Sequence, residues 1–146
     1  MDQTQKDCPF CAIATGDDPN ADLVCAGRHW VAFFPLHPAT PGHTLVIPRI
    51  HVPDLWSADE ETGTELMRAV IKVGNAIQAA LSPEGMNLIS SAGSVAEQTI
   101  FHLHLHLVPR TKGDRLGPIW PDDAELAAEA RAELLARIRP ECEQRA

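Results

Sequence analysis

The chain predicts an α+β domain, and three observations carry that prediction. His102-Leu103-His104-Leu105-His106-Leu107-Val108 alternates imidazoles with aliphatic side chains, the period-2 pattern of a β-strand. Downstream of Ser57, residues Leu66, Val70, Val73, Ile77 and Leu81 recur at three- and four-residue spacing, the single apolar stripe of a helix. Between these, short strand-like runs alternate with turn signals, with no repeat, low-complexity tract or interdomain linker. Residues 1–146 therefore read as one domain, long enough for one substantial core.

Each element has a local reason. Cys8-Pro9-Phe10-Cys11 is a C-x-x-C whose two thiolates can reach one tetrahedral metal, although a structural site needs four ligands. On the pair alone, two partly buried thiols are the simpler reading. Thr15 to Asp22 is turn-rich. Leu23–Ala26 and His29–Phe34 read as strands about a tight turn at Gly27-Arg28. Pro35, Pro38 and Pro41 exclude helix from the connection that follows, where His37 reads as a solvated loop histidine. The run from His43 to Ile47 is a buried strand stopped by Pro48, with His51 just beyond it.

Ser57-Ala58-Asp59-Glu60 has the form of a capping box opening the long helix, which Ser82-Pro83 ends. Met86–Ser90 is a further strand. The small, polar stretch Ser91 to Thr99 leads into the histidine strand and is rich in hydroxyl, amide and backbone donors. A last helix runs from about Asp122 to Arg139, with Leu126, Ala130, Leu134 and Ile138 as its stripe and Pro140 as its stop.

Composition narrows the function. The content is 45% hydrophobic and 22% charged, that of an ordinary globular protein. A net charge of −8 without a Lys/Arg cluster argues against extended nucleic-acid binding. A small phosphate-bearing ligand is still compatible, since a few amides and histidines can hold it. Met1 to Lys6 carries no apolar signal-type run, and no stretch approaches the roughly 18 apolar residues of a membrane span. The expectation is a cytoplasmic protein whose cysteines are thiols or metal ligands.

On a strand, His102, His104 and His106 share one face at roughly 6–7 Å intervals, and Leu103, Leu105 and Leu107 face the core. Three chemistries can use that row: a catalytic metal site, nucleophilic attack by a neutral imidazole on phosphorus, or a set of structural hydrogen bonds. Three same-face histidines in so short a run make the structural reading the least favoured.

The phrase His-Leu-His-Leu-His-Leu-Val resembles the signature of the histidine triad superfamily of nucleotide hydrolases and transferases. Pro41-Gly42-His43-Thr44-Leu45-Val46-Ile47-Pro48-Arg49-Ile50-His51 resembles a second family phrase, and the likeness runs from Cys8 to about Trp120. It implies a mainly antiparallel sheet with one long central helix, a motif-bearing core over about 8–120 and a C-terminal helix over about 122–139. It also implies cleavage at the α-phosphate of nucleoside 5′-phosphate conjugates, adenosine phosphoramidates or dinucleoside polyphosphates.

By the same resemblance His104 is the nucleophile, His106 contacts a phosphate oxygen or bridging atom, and His102 completes the triad. Gln98, Thr99, Ser91 and Gly93 would approach the phosphate, and Phe10, Ile13, Phe33 and Leu36 would line the nucleoside pocket. Cys8, Cys11, His51 and His102 would form a structural Cys₂His₂ zinc site. No redox cofactor is implied, Cys25 and Cys142 read as plain thiols, and a homodimer is expected. Two departures bear on substrate. Pro35 stands where many members carry a ribose-binding aspartate, and Glu97 occupies a usual glycine position. The alternatives are a nucleotide-binding regulator with little turnover and a metal-dependent hydrolase that uses the triad as ligands.

Overall fold

Alternation along each strand decides what the two faces of the sheet carry, and here it divides core from chemistry. The computed structural model describes residues 5–122 and 125–145. Its strands are β1 (Leu23–Ala26), β2 (Trp30–Phe33), β3 (Thr44–Pro48), β4 (Gly85–Ser90) and β5 (Leu105–Arg110). They form one antiparallel sheet in the order β1-β2-β3-β5-β4. Register places Phe33, Leu45, His106 and Ile89 in one cross-strand row, and Ala32, Val46, Leu105 and Ser90 in the next. Successive rows face opposite ways, so His106 lies on one face and Leu105 on the other.

The Leu105 face is covered by the long helix α2 (Glu60–Leu81). Leu66, Ala69, Val70, Val73 and Ile77 pack there against Trp30, Ala32, Val46, Leu103, Leu105 and Leu107. Each Val, Leu or Ile side chain among them that is fully removed from water contributes about 1.5–3 kcal/mol. The opposite face is covered by the two-turn helix α1 (Pro9–Thr15), whose Ala14 packs with Val31, Phe33, Leu45 and Ile47, flanked by Phe10 and Ile13. The chain divides into two compact units, Met1–Leu116 and Gly117–Ala146. The first holds the sheet, α1 and α2; the second holds α3 (Ala128–Gln144). Among the described residues, no helix is long and apolar enough to cross a membrane.

Four expectations are corrected. The histidine strand begins at Leu105, not at His102. The His102 carbonyl, which a ladder would direct at a neighbouring strand, instead accepts from the His104 ring, and the Leu103 N–H donates to the Val52 carbonyl. The capping box at Ser57 does not form. Asp54 accepts from both the Ser57 N–H (2.9 Å) and its hydroxyl (3.0 Å), closing a separate 3₁₀ turn at Leu55–Ser57. Asp59 then caps α2 by accepting from the Thr62 N–H at 2.8 Å.

Leu81, expected on the buried stripe, is 51% exposed. The last helix starts at Ala128, not near Asp122, and continues through Pro140 to Gln144. Proline withdraws one N–H from the ladder and leaves those of the following residues intact. The acidic start expected of it falls partly on residues 123 and 124, outside the described ones.

Candidate active site

His104 and His106 occupy the α1 side of the sheet, at the beginning of β5. Their rings lie 4.9 Å apart between centroids. His104 Nδ1 lies 2.7 Å from the His102 carbonyl oxygen, which can only accept, so Nδ1 carries the ring proton. A neutral His104 therefore has its lone pair on Nε2. Burial pulls its pKa below the ordinary histidine value, partly opposed by the bond to the His102 backbone. The ring is 7% exposed and packs edge-on against Phe10 at 5.2 Å, which restrains its orientation.

A histidine to which the sequence reading gave no catalytic part completes this arrangement. His43 immediately precedes β3, and its Nε2 lies 2.9 Å from His106 Nδ1. The Ala39 N–H donates to His43 Nδ1 at 3.0 Å, which leaves the proton of a neutral His43 on Nε2. His43 then donates to His106 Nδ1, and a neutral His106 carries its own proton on Nε2. Burial first, then His104 and His43, lowers the His106 pKa to about 4; burial and His104 lower that of His43. Thus one ring presents a lone pair and its neighbour presents an N–H, the pairing that attack on a phosphoryl group and stabilisation of its charge require. His43 was legible only through register: Leu45 pairs with His106, and His43 shares the face of Leu45.

His102 points elsewhere. It is fully buried, and its Nε2–H donates to the Pro48 carbonyl at 3.0 Å. That bond leaves Nδ1 as the free donor atom, 3.5 Å from both Cys8 Sγ and Cys11 Sγ. His51 Nδ1 lies 3.3 Å from Cys11 Sγ. All four ligand atoms fall within 4.8 Å of one another. Tetrahedral zinc at ordinary bond lengths separates its S and N ligands by roughly 3.5 Å, so the donor set, spacing and tautomer fit that ion. Burial, with Cys8 adding to it, raises the Cys11 thiol to about 11. Burial chiefly lowers His102 to about 4. A cation held here would reverse the thiol shift by favouring thiolate. Cys8 is the N-cap of α1 and Cys11 lies one turn in, so this group ties α1 to His102.

The other expected residues divide. Phe10 packs edge-on to Phe33 at 5.3 Å, with Ile13 against the same cluster. Leu36 is 93% exposed and stands apart from that cluster. Ser91 and Gly93 are half-buried and Thr99 is exposed, all in the β4–β5 loop. Gln98 is 3% exposed and engaged inside that loop. Its Oε1 accepts from the Gly93 N–H at 2.8 Å, and its amide donates to the Pro53 (2.7 Å) and Ile100 (3.1 Å) carbonyls. Gln98 braces the loop here, and donation from it to a phosphate requires these bonds to be given up.

Comparison with known proteins bears on the same residues. The HIT domain family model matches residues 18–113, which include His43, His51 and the triad. The chain is 37% identical over 121 residues to the protein named hit of Bacillus subtilis, covering 82% of this chain and 83% of that one. A crystal structure of SMU.412c from Streptococcus mutans superposes with a TM-score of 0.88 at 34% identity, over 97% of this chain and 89% of that one. A zinc-bound histidine triad family protein from Mycobacterium smegmatis matches with a TM-score of 0.71 at 33% identity, over 94% and 99%.

Two relatives are named for an activity. Adenosine 5′-monophosphoramidase hnt1 of Schizosaccharomyces pombe is 33% identical over 78% of this chain and 83% of that one. Adenylylsulfatase HINT3 of Arabidopsis thaliana is 33% identical over 77% of this chain and 56% of that one. The matched span carries both the His104–His106 pair and the two histidines of the Cys₂His₂ group, and the chain belongs to the HIT-domain family.

Proposed function

We propose that the protein is a nucleotide hydrolase acting at the α-phosphate of adenosine 5′-phosphate conjugates through a nucleotidyl-histidine. The observation that carries the reading is the 2.7 Å bond from His104 Nδ1 to the His102 carbonyl, which leaves a neutral Nε2 lone pair beside the N–H of His106. Nε2 attacks the α-phosphorus, the P–N or P–O bond to the leaving group breaks, and that group departs with the bonding pair. His106, neutral at cellular pH, donates a hydrogen bond to the leaving atom or a phosphoryl oxygen, and the leaving group takes its proton from solvent. Water then attacks the same phosphorus, the P–N bond to His104 breaks, and AMP is released. Phosphoramidates are the first substrates to test and dinucleoside polyphosphates the second. The names of the fission-yeast and plant relatives support an adenylyl group.

Zinc held by Cys8, Cys11, His51 and His102 would be structural. The four donors close a tetrahedral set, and His104 and His106 lie outside it. When bound, the ion supplies a fixed crosslink between α1 and the strand approach. We place the protein in the cytoplasm, with these thiols reduced. We also propose a homodimer through edge strand β4. It carries no charged residue, and Leu88 is 45% exposed on the α2 face, the face of a helix that also exposes Met67 (44%) and Ile71 (57%).

The test is AMP release from a panel of AMP conjugates by wild type and His104→Asn. Loss of release in a folded variant that still binds AMP is expected. Folded wild type that releases no AMP from any conjugate, or a variant that keeps its rate, overturns the reading. The buried engagement of the Gln98 amide favours one second reading, a nucleotide-binding protein with little turnover. Stoichiometric AMP binding without release would select it.

A further inference from the structure

The Cys₂His₂ group joins parts of the chain that are far apart. Cys8 and Cys11, at the start of α1, stand 94 and 91 positions from His102. From each other they are only three positions apart, and their sulfurs lie within 4.8 Å. Neither thiol is sealed off. Cys8 is 3% and Cys11 is 8% exposed, yet both line an open groove of about 570 Å³. Gln5 and Lys6 of the preceding 3₁₀ turn (Gln5–Asp7) share it with Ala12 and Thr15 of α1. Small solutes can reach both sulfurs through it.

We propose that this pair is also a redox site, at which a hydroperoxide converts the two thiolates into a Cys8–Cys11 disulfide and the metal is released. The proposal rests on the zinc reading above. Sulfurs that serve as metal ligands are thiolates, the nucleophilic form. One attacks a peroxide oxygen; the O–O bond breaks, hydroxide or alkoxide leaves, and the sulfur becomes a sulfenic acid. The other thiolate attacks that sulfur; the S–S bond forms, the S–O bond breaks and hydroxide leaves. Two electrons have passed from the sulfurs to the peroxide, and both departing anions take protons from solvent. His51 and His102 then offer two donors where a structural site needs four.

Local geometry allows the bond and keeps it reversible. Cβ atoms three apart on a helix lie about 5–6 Å from each other, against the roughly 3.5–4.5 Å of a disulfide, so the first turn has to tighten. Cys8 has extended backbone (φ −83°, ψ 117°) and no side-chain cap, which leaves it free to make that shift. The bond closes a loop of only four residues. It constrains the unfolded chain less than a long-range disulfide does, and thiols reduce it readily. A link between α1 and the strand approach is thereby exchanged for one inside α1. Phe10 lies between the two cysteines and packs on His104 at 5.2 Å, so the exchange is felt beside the triad.

The experiment uses the full wild-type chain, loaded with zinc under reduction and then treated with hydrogen peroxide. Free zinc is read with a colorimetric chelator, the sulfur linkage by fragment-ion mass spectrometry, and α1 by amide hydrogen exchange. Zinc and the Cys8–Cys11 disulfide are expected to appear together in equimolar amounts, with α1 amides exchanging roughly tenfold faster. Dithiothreitol with added zinc is expected to reverse all three. Reduced protein that takes up no zinc overturns the Cys₂His₂ reading and this proposal with it. Zinc that stays bound through oxidation overturns the proposal alone. So does zinc that leaves while the cysteines are found as sulfinic acids or linked to Cys25 or Cys142. Exchange in α1 that is unchanged by oxidation overturns the transmission to Phe10.

Discussion

The Ala39 N–H, the His102 carbonyl and the Pro48 carbonyl each hold one ring nitrogen of a histidine, and His43 passes the constraint on to His106. A ring held at one nitrogen has its tautomer decided at the other. His43 touches no reacting atom in this arrangement; it positions His106. His43→Ala is therefore expected to lower kcat by about tenfold to a hundredfold, the range that orienting partners carry, with KM little changed. His43→Gln, which can still donate to His106, should recover part of the loss in steady-state assays. Glycines give a second prediction at this scale. A Cβ on Gly27 would lie 2.3 Å from Nε1 of the buried Trp30, whereas one on Gly63 in α2 meets nothing within 4 Å. Urea unfolding should show Gly27→Ala destabilised by about 1–3 kcal/mol and Gly63→Ala stabilised by up to about 1 kcal/mol. The nucleophile was legible because its neighbours in sequence are its neighbours on the strand approach. His43 was not, since its partner lies 63 positions away and no local stretch encodes strand register.

Single elements show how local signals compete. Ser57 and Asp59 are both good caps, and the sequence favoured the wrong one because Asp54, three residues earlier, claims the Ser57 N–H. In the β4–β5 loop, Glu97 adopts the left-handed region at φ +66°. A side chain there costs about 1–2 kcal/mol relative to glycine. Glu97→Gly should raise the melting temperature, while Glu97→Val should lower it. Helix α1 is only seven residues long and has no side-chain cap at Cys8, too short to persist unaided. Arg49 holds it at its far end through the Ala14 carbonyl, and the Cys₂His₂ group would hold it at the other. Chelation of zinc-loaded protein is expected to lower the melting temperature and raise KM, because Phe10 beside His104 sits on this helix. Cys8→Ser with Cys11→Ser should reproduce both effects without chelator. The zinc ligands could be proposed from sequence only through the family resemblance, since C-x-x-C alone supplies half a site.

The whole molecule depends on how the strands are ordered and what leaves the sheet. The class and most element positions followed from periodicity. The order β1-β2-β3-β5-β4 did not, because which strand neighbours which is decided by packing of whole faces. Where the chain leaves β5, Arg110 donates to both carboxylate oxygens of Asp114, at 2.6 and 3.0 Å, and to Asn87 Oδ1 of β4 at 2.8 Å. The hydrogen bonds from Arg110 hold the Asp114 carboxyl at about 2, below its ordinary 3.8. The folded state thus binds fewer protons here than the unfolded one, so this contribution is whole above about pH 4 and is lost as pH falls toward 2. Denaturant midpoints of wild type should fall over that interval more steeply than those of Asp114→Asn. The proposed β4 edge contact predicts that Leu88→Lys sediments as a smaller species at equal concentration, with its circular dichroism unchanged.

Anchors made of main-chain atoms have a consequence for how the site tolerates sequence drift. The group that orients His43 is an amide, and every residue type but proline supplies one. Position 39 should therefore accept almost any substitution without moving the proton on His106, and Ala39→Pro alone should abolish that constraint. A saturation library at this position, scored for turnover, should be flat with a single hole. The chemistry would then be robust to mutation where it is most finely set, because what sets it is carried by the backbone.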